Sequence, residues 1–298
     1  MTKADRLRIR KHVLDDTVDD ALLAGLPPFR RQQVRVMLQE MAANVRIPQL
    51  ELAELYVRKG SHDLALMVAE HMQKQHPQGA AGYQLQGDIL MAKRQPAAAL
   101  AAFERASALH ATNEFAIKID NALRRAGRVA DADVRLATWL AAHPDDLRAQ
   151  AYRAQTWIGA GDYKRAAAQL EAVARRQPDN VVVLNNLALS YQALGDARAQ
   201  ATAEAALKGA PKRPDVMDTL AWILVGKGDA ARAVTLLREA HTLAPKARDI
   251  RYHLAAALAA SGDKAGARKE LDSLLAGDMR FAQADDVRRL SARLKAGG

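Results

Sequence analysis

The sequence predicts an all-α protein built from repeated helix pairs, and three observations carry that prediction. The first is a recurring stop. Gly60, Gly127, Gly161, Gly195, Gly228 and Gly262 lie 67, 34, 34, 33 and 34 residues apart, and the double step has its midpoint at Arg94. The second is a small residue five positions after each stop, at Ala65, Ala99, Ala132, Ala166, Ala233 and Ala267, with Gln200 in the same register. The third is a proline near the end of most periods, at Pro77, Pro144, Pro178, Pro211 and Pro245. Three series sharing one period mark a structural repeat. Composition agrees, since the helix formers Ala, Leu, Arg and Gln are abundant, aromatics make up only 4%, and the longest β-branched run is Val181-Val182-Val183.

Each element of the period has a physical task. The glycine takes the left-handed conformation that closes the first helix of a pair. Asp162, Asp196, Asp229 and Asp263 directly follow a stop and are expected to cap the second helix by accepting from its free N–H groups. The small residue lets the two helices approach, and the proline stops the chain from continuing as a helix. One pair cannot bury its apolar face, whereas stacked pairs form a continuous core.

In chain order, residues 1–16 are charged and aperiodic and read as a flexible N-terminus. Residues 17–46 read as an N-terminal helical cap. It comprises a short helix from Thr17 to Gly25 and, over 29–45, a helix with Val34, Met37, Leu38 and Met41 on one face. Seven units then occupy 47–280, at 47–78, 81–112, 113–146, 147–180, 181–212, 214–246 and 248–280. Unit two has Arg94 in place of the turn glycine and unit three has Asp120 at a small-residue position. Unit five is one residue short, so Ala199 or Ala201 is expected to pack in place of Gln200. Residues 281–298 close the chain with Val287, Leu290 and Leu294 opposite Arg288, Arg289, Arg293 and Lys295, as suits a C-terminal capping helix.

These units resemble tetratricopeptide repeats. Leu187, Ala188 and Tyr191 followed by Gly195-Asp196 match the family's first helix and turn, and Tyr83, Gly87, Ala99, Phe103 and Ala106 occupy its large and small packing sites. The resemblance implies a right-handed superhelical α-solenoid of about seven helix pairs. Over residues 95–295, phrases such as "DTLAWILVGKGDAARAVTLLREA" are similar to the C-terminal part of the tetratricopeptide lipoproteins of bacterial exosortase-linked exopolysaccharide systems. That narrower resemblance implies an envelope scaffold for polysaccharide assembly or export. The sequence departs from it at the N-terminus, which shows neither a lipoprotein signal nor a lipidated cysteine. The expected location is therefore the periplasm or cell envelope for an excised piece, or the cytoplasm for a shorter relative.

No reactive constellation stands out. Without cysteine there is no disulfide, thiolate metal site or cysteine nucleophile. Ser261 and Lys264 flank a turn, and His71 and His76 fall on different helical faces. His253 reads as a surface or packing residue. No catalytic residue, cofactor or metal is expected. The net charge of +10 is spread along the chain, with its densest patch at residues 6–11. Few aromatics are available to stack on bases, so nucleic acid is not the expected partner. No apolar run reaches membrane-spanning length.

A non-enzymatic scaffold that binds a partner protein in a groove is the favoured function. The alternatives are a generic cytoplasmic adaptor or a groove that binds a ligand or nucleic acid. First helices line the concave side of such an array. Helical periodicity then turns inward Glu54, Arg58, Gln84, Asp88, Asn121, Arg124, Gln155, Asn185, Gln192, Asp218, Trp222 and Tyr252. Trp222 has two readings, a groove anchor or a core residue between units six and seven.

Overall fold

The computed structural model describes residues 49–296. The expectations for 1–16 and for the helices within 17–46 lie outside the described residues. Those residues contain fifteen helices and no strand. They are α1 (Gln49–Arg58), α2 (His62–Gln75), α3 (Ala80–Ala92), α4 (Pro96–Leu109), α5 (Asn113–Arg125), α6 (Val129–Ala142), α7 (Leu147–Gly159), α8 (Tyr163–Arg176), α9 (Val181–Ala193), α10 (Ala199–Gly209), α11 (Pro214–Gly226), α12 (Ala230–Leu243), α13 (Arg248–Ala260), α14 (Lys264–Leu275) and α15 (Ala284–Ala296). The first fourteen form seven helix pairs. The chain divides between His143 and Pro144 into two compact units. In the first, α1 to α6 pack each on the next, and in the second α7 to α15 do the same. No helix among the described residues is long and apolar enough to cross a membrane.

The turns within the pairs are closed as the glycines predict. Gly60, Gly127, Gly161, Gly195, Gly228 and Gly262 all have positive φ. At most of these turns the next residue donates its N–H to a carbonyl five residues back, as Asp196 does to Tyr191 at 2.9 Å. Arg94 adopts the same conformation without being glycine, at φ 58°, and Gln95 closes the same bond to Leu90 at 2.9 Å.

Ala65, Ala99, Ala132, Ala166, Ala233 and Ala267 are completely buried, so each marks a helix contact with no room for a longer side chain. At Gly87 the contact is tighter still: a Cβ there would lie 2.3 Å from Cε1 of Phe103. In unit five Ala199 is buried and Ala201 is exposed, so the one-residue deletion brings Ala199 into the packing position.

Asp162, Asp229 and Asp263 cap α8, α12 and α14 by accepting from the N–H of Arg165, Arg232 and Gly266 at 3.0, 3.3 and 2.8 Å. Asp196 does not cap α10 in this way. That helix starts at Ala199 with Arg198 at its N-cap, and Asp196 accepts from the Arg198 N–H at 2.9 Å and from its guanidinium. The shortened unit displaces the helix start, so the carboxylate no longer lies in register with the first turn. The prolines 77, 144, 178, 211 and 245 each lie two residues beyond the end of a second helix, directly after its C-cap. In the second compact unit, Val287, Leu290 and Leu294 of α15 join the core that also holds Leu271 and Leu274 of α14.

Candidate partner-binding grooves

In the first compact unit, α1 and α3 lie side by side and leave a groove of about 560 Å³ between them. Its floor is apolar: Val57, Ala81, Leu85 and Ile89 line it, together with Leu50, which is 50% exposed. Glu54, Arg58, Gln84 and Asp88, all expected from the sequence to face inward, line the same groove. On the other side of α3 a second groove of about 330 Å³ is lined by Asp88, Met91, Phe103, Ile117, Lys118 and Asn121. Asp88 borders both.

The rim of these grooves is cross-linked between α3 and α5. Lys118 Nζ donates to Asp88 Oδ1 at 2.6 Å, and Gln84 Nε2 donates to Glu114 Oε1 at 2.8 Å. Asn121 Oδ1 is a buried acceptor with no donor. Arg124, expected to face a partner, is committed within the protein. Its Nε donates to Asp120 Oδ2 at 2.7 Å and its terminal nitrogen reaches Asp133. Asp120 replaces the usual small residue and is fully buried, so the guanidinium supplies the charge that its carboxylate needs. Burial opposes the charge on Arg124, but the hydrogen bonds to Asp120 and Asp133 outweigh it and raise its pKa above the usual arginine range.

The residues expected to face inward in the second unit are placed differently from one another. Gln155 on α7 is exposed and Gln192 on α9 is half-buried. Asn185 on α9 is only 7% exposed, with its Oδ1 unpaired, so it is a buried residue rather than the open groove contact expected of it. The packing of α9 between its neighbours turns this position inward. Asp218, Trp222 and Tyr252 are brought together with a fourth residue that sequence reasoning left as packing, His253. Its Nδ1 lies 2.7 Å from Asp218 Oδ1, and its ring stacks on Trp222 at 4.2 Å and 23°. Trp222 and Tyr252 stand 6.1 Å apart at a tilt. Trp222 is half-buried, between the two readings offered for it. Burial first, and the nearby Asp286 second, push the Tyr252 hydroxyl up from its ordinary pKa. The signal for His253 was in the period: it follows Asp218 by one repeat plus one residue, and α11 and α13 touch. Among the described residues no three His, Asp or Glu side chains are grouped to hold a metal ion.

Stacked helix pairs with left-handed turn residues, small buried contact positions and grooves between first helices define a protein of the helical-repeat class. Residues 224–294 match the tetratricopeptide repeat family. Over 118 residues the chain is 36% identical to a TPR repeat-containing protein of Pseudomonas aeruginosa, a match covering 40% of this chain and 46% of that protein. The chain therefore spans less than half the length of that curated relative. Among solved structures, the APC/C hetero-tetramer Cut9-Hcn1 is similar with a TM-score of 0.66 at 16% identity, over 98% of this chain and 54% of that one. A tetratricopeptide repeat protein from Parabacteroides merdae is similar with a TM-score of 0.62 at 15% identity, over 83% of this chain and 97% of that one. At such identities the likeness is one of fold. Together with the period of the sequence, these findings make the chain similar to tetratricopeptide repeat proteins, in sequence over residues 224–294 and in fold over the described helix pairs.

Proposed function

We propose that the protein is a non-enzymatic interaction scaffold that holds a segment of a partner protein in the grooves between its first helices. The observation that carries this reading is the α1–α3 groove, with its apolar floor, its volume of about 560 Å³ and the four polar residues on its rim. An apolar recess with a few placed polar groups takes up side chains and orients them. Asp218, Trp222, Tyr252 and His253 offer a second contact surface. There the polar groups partly satisfy one another, so the aromatic area would contribute most of the contact.

The test is photo-crosslinking in cells from a reactive amino acid placed at Ala81, an exposed position on the groove, with Val134 as control. Val134 is 66% exposed and lies on α6, outside both grooves. Discrete adducts from position 81 and none from position 134 are expected. Equal labelling from both, or none from either, would refute the groove reading.

We further propose, from the resemblance of residues 95–295, that the scaffold serves bacterial exopolysaccharide assembly or export at the cell envelope, in contact with the polysaccharide machinery. A cytoplasmic adaptor is the alternative. Neighbouring genes for glycosyltransferases, a chain-length regulator or an export lipoprotein support the envelope reading. A solitary gene among translation or metabolic genes removes its support.

A further inference from the structure

We propose that the contact between α12 and α13 is an acid-sensitive joint, held by a hydrogen bond from Arg251 to a neutral His241 and released when that ring takes up a proton. The joint lies within the second compact unit.

Both residues depart from the repeat pattern. Between units four and five the two registers are held by Ala174, thirteen residues after Gly161, and Leu184, eleven before Gly195. Between units six and seven the same registers hold His241, thirteen after Gly228, and Arg251, eleven before Gly262. A titratable ring and a guanidinium therefore meet at a helix contact whose counterpart is apolar.

The geometry fixes the charge state of the ring. Arg251 Nη2 lies 3.1 Å from His241 Nε2. A guanidinium only donates and does not lose its proton, so Nε2 accepts. The ring is then neutral with its proton on Nδ1, a buried atom with no acceptor among the described residues. Arg251 is held from the far side by α14. Its Nη1 donates to Ser273 Oγ at 2.5 Å, and its Nε lies 3.6 Å from Glu270 Oε2. A second proton on His241 would sit on Nε2 and point at the Arg251 N–H, placing two cations at hydrogen-bond distance. The bond does not survive that step. His253, two residues further along α13, responds differently. Its Nδ1 meets Asp218 Oδ1 at 2.7 Å, and a ring donating to a carboxylate keeps that bond when its other nitrogen is protonated.

Burial first, and Arg251 second, oppose the charge on His241, while Glu270 of α14 favours it. No charged group of α11, which also packs on α12, acts on the ring among the described residues. The balance holds its pKa below the ordinary value of 6.5. A pKa lower in the closed joint than in the opened one makes the joint complete above about pH 6.5 and weakens it as pH falls. One unit below that value, a single proton shifts the opening equilibrium by at most about tenfold. Opening frees α13, which carries Tyr252 and His253, from the helix before it.

The test is hydrogen exchange of the full chain at about pH 7.5 and about pH 5.5, corrected for the intrinsic pH dependence of exchange and read over α13. His71, which burial also shifts down, lies on α2 in the first compact unit and does not enter that reading. Protection over α13 is expected to fall by about three- to tenfold in acid. In His241→Gln, whose amide oxygen accepts from Arg251 at either pH, it should fall by less than about twofold. Ring ¹⁵N spectra of the wild type, with the His241 signals identified by their loss in the variant, should show a proton on Nδ1 alone at the higher pH. Unchanged protection over α13 in the wild type overturns the proposal, and so does an equal loss in His241→Gln. A His241 ring protonated on Nε2 at the higher pH overturns it as well.

Discussion

Arg94 is the one described non-glycine residue in the left-handed region, and replacing it with glycine isolates the energetics of the repeat turn. Its φ is 58°, its side chain is exposed, and its N–H still bonds to Met91 O at 3.0 Å. Arg94→Gly therefore changes the backbone preference and little else. An L-residue in this conformation costs roughly 1–2 kcal/mol, because Cβ crowds the following carbonyl. Glycine gives back about 0.5–1 kcal/mol through the greater freedom of its unfolded chain. The net expectation is a gain of about 0.5–1 kcal/mol, or a rise in Tm of about 1–3 °C for a chain of this size. Gly195→Ala is the reciprocal experiment. A Cβ at Gly195 meets nothing within 4 Å, so the loss of about 1 kcal/mol expected there is backbone strain alone. Both are read by circular dichroism melts and urea titrations, with hydrogen exchange over α3 and α4 to localise the first. If Arg94→Gly lowers Tm or leaves it unchanged, the conformational account of the turn is wrong.

Two further predictions probe side chains that depart from the repeat pattern. Arg124→Ala removes the guanidinium that bonds the buried Asp120 carboxylate and should cost about 1.5–3 kcal/mol in urea denaturation, most of which Asp120→Ala in the same chain should restore. A neutral single variant would show that the pair is not coupled. The Asp196 carboxyl is held down to about 2, chiefly by the Arg198 guanidinium and then by its backbone N–H, against an ordinary value of 3.8. Its folded pKa is depressed, so its contribution is complete above about pH 4 and is lost as pH falls through about 2. Asp196→Asn should therefore flatten the acid limb of a Tm-against-pH curve between those values and leave the neutral region nearly unchanged in slope. An unaltered acid limb would refute the assignment.

The repeat by itself determined the helix pairs, their seven-fold recurrence and the buried alanines. These are consequences of local chain chemistry: where a left-handed residue is cheap, where a proline ends a helix, and where only a small side chain fits. A fixed period repeats each of them and makes them readable in one dimension. Even the exception at Arg94 was legible as a gap in a series. The candidate site was legible as a stripe of positions, and Glu54, Arg58, Gln84 and Asp88 do line one groove. What each polar side chain touches was decided by the tertiary structure. Asn185 is buried, Arg124 turns to Asp120, and His253 joins Asp218 and Trp222 because a few degrees of helix rotation change which groups meet across two helices. The displaced cap at Asp196 has a different cause, local to unit five. One missing residue leaves the turn intact but moves the helix start by enough to take a carboxylate out of reach of the N–H groups it would otherwise hold.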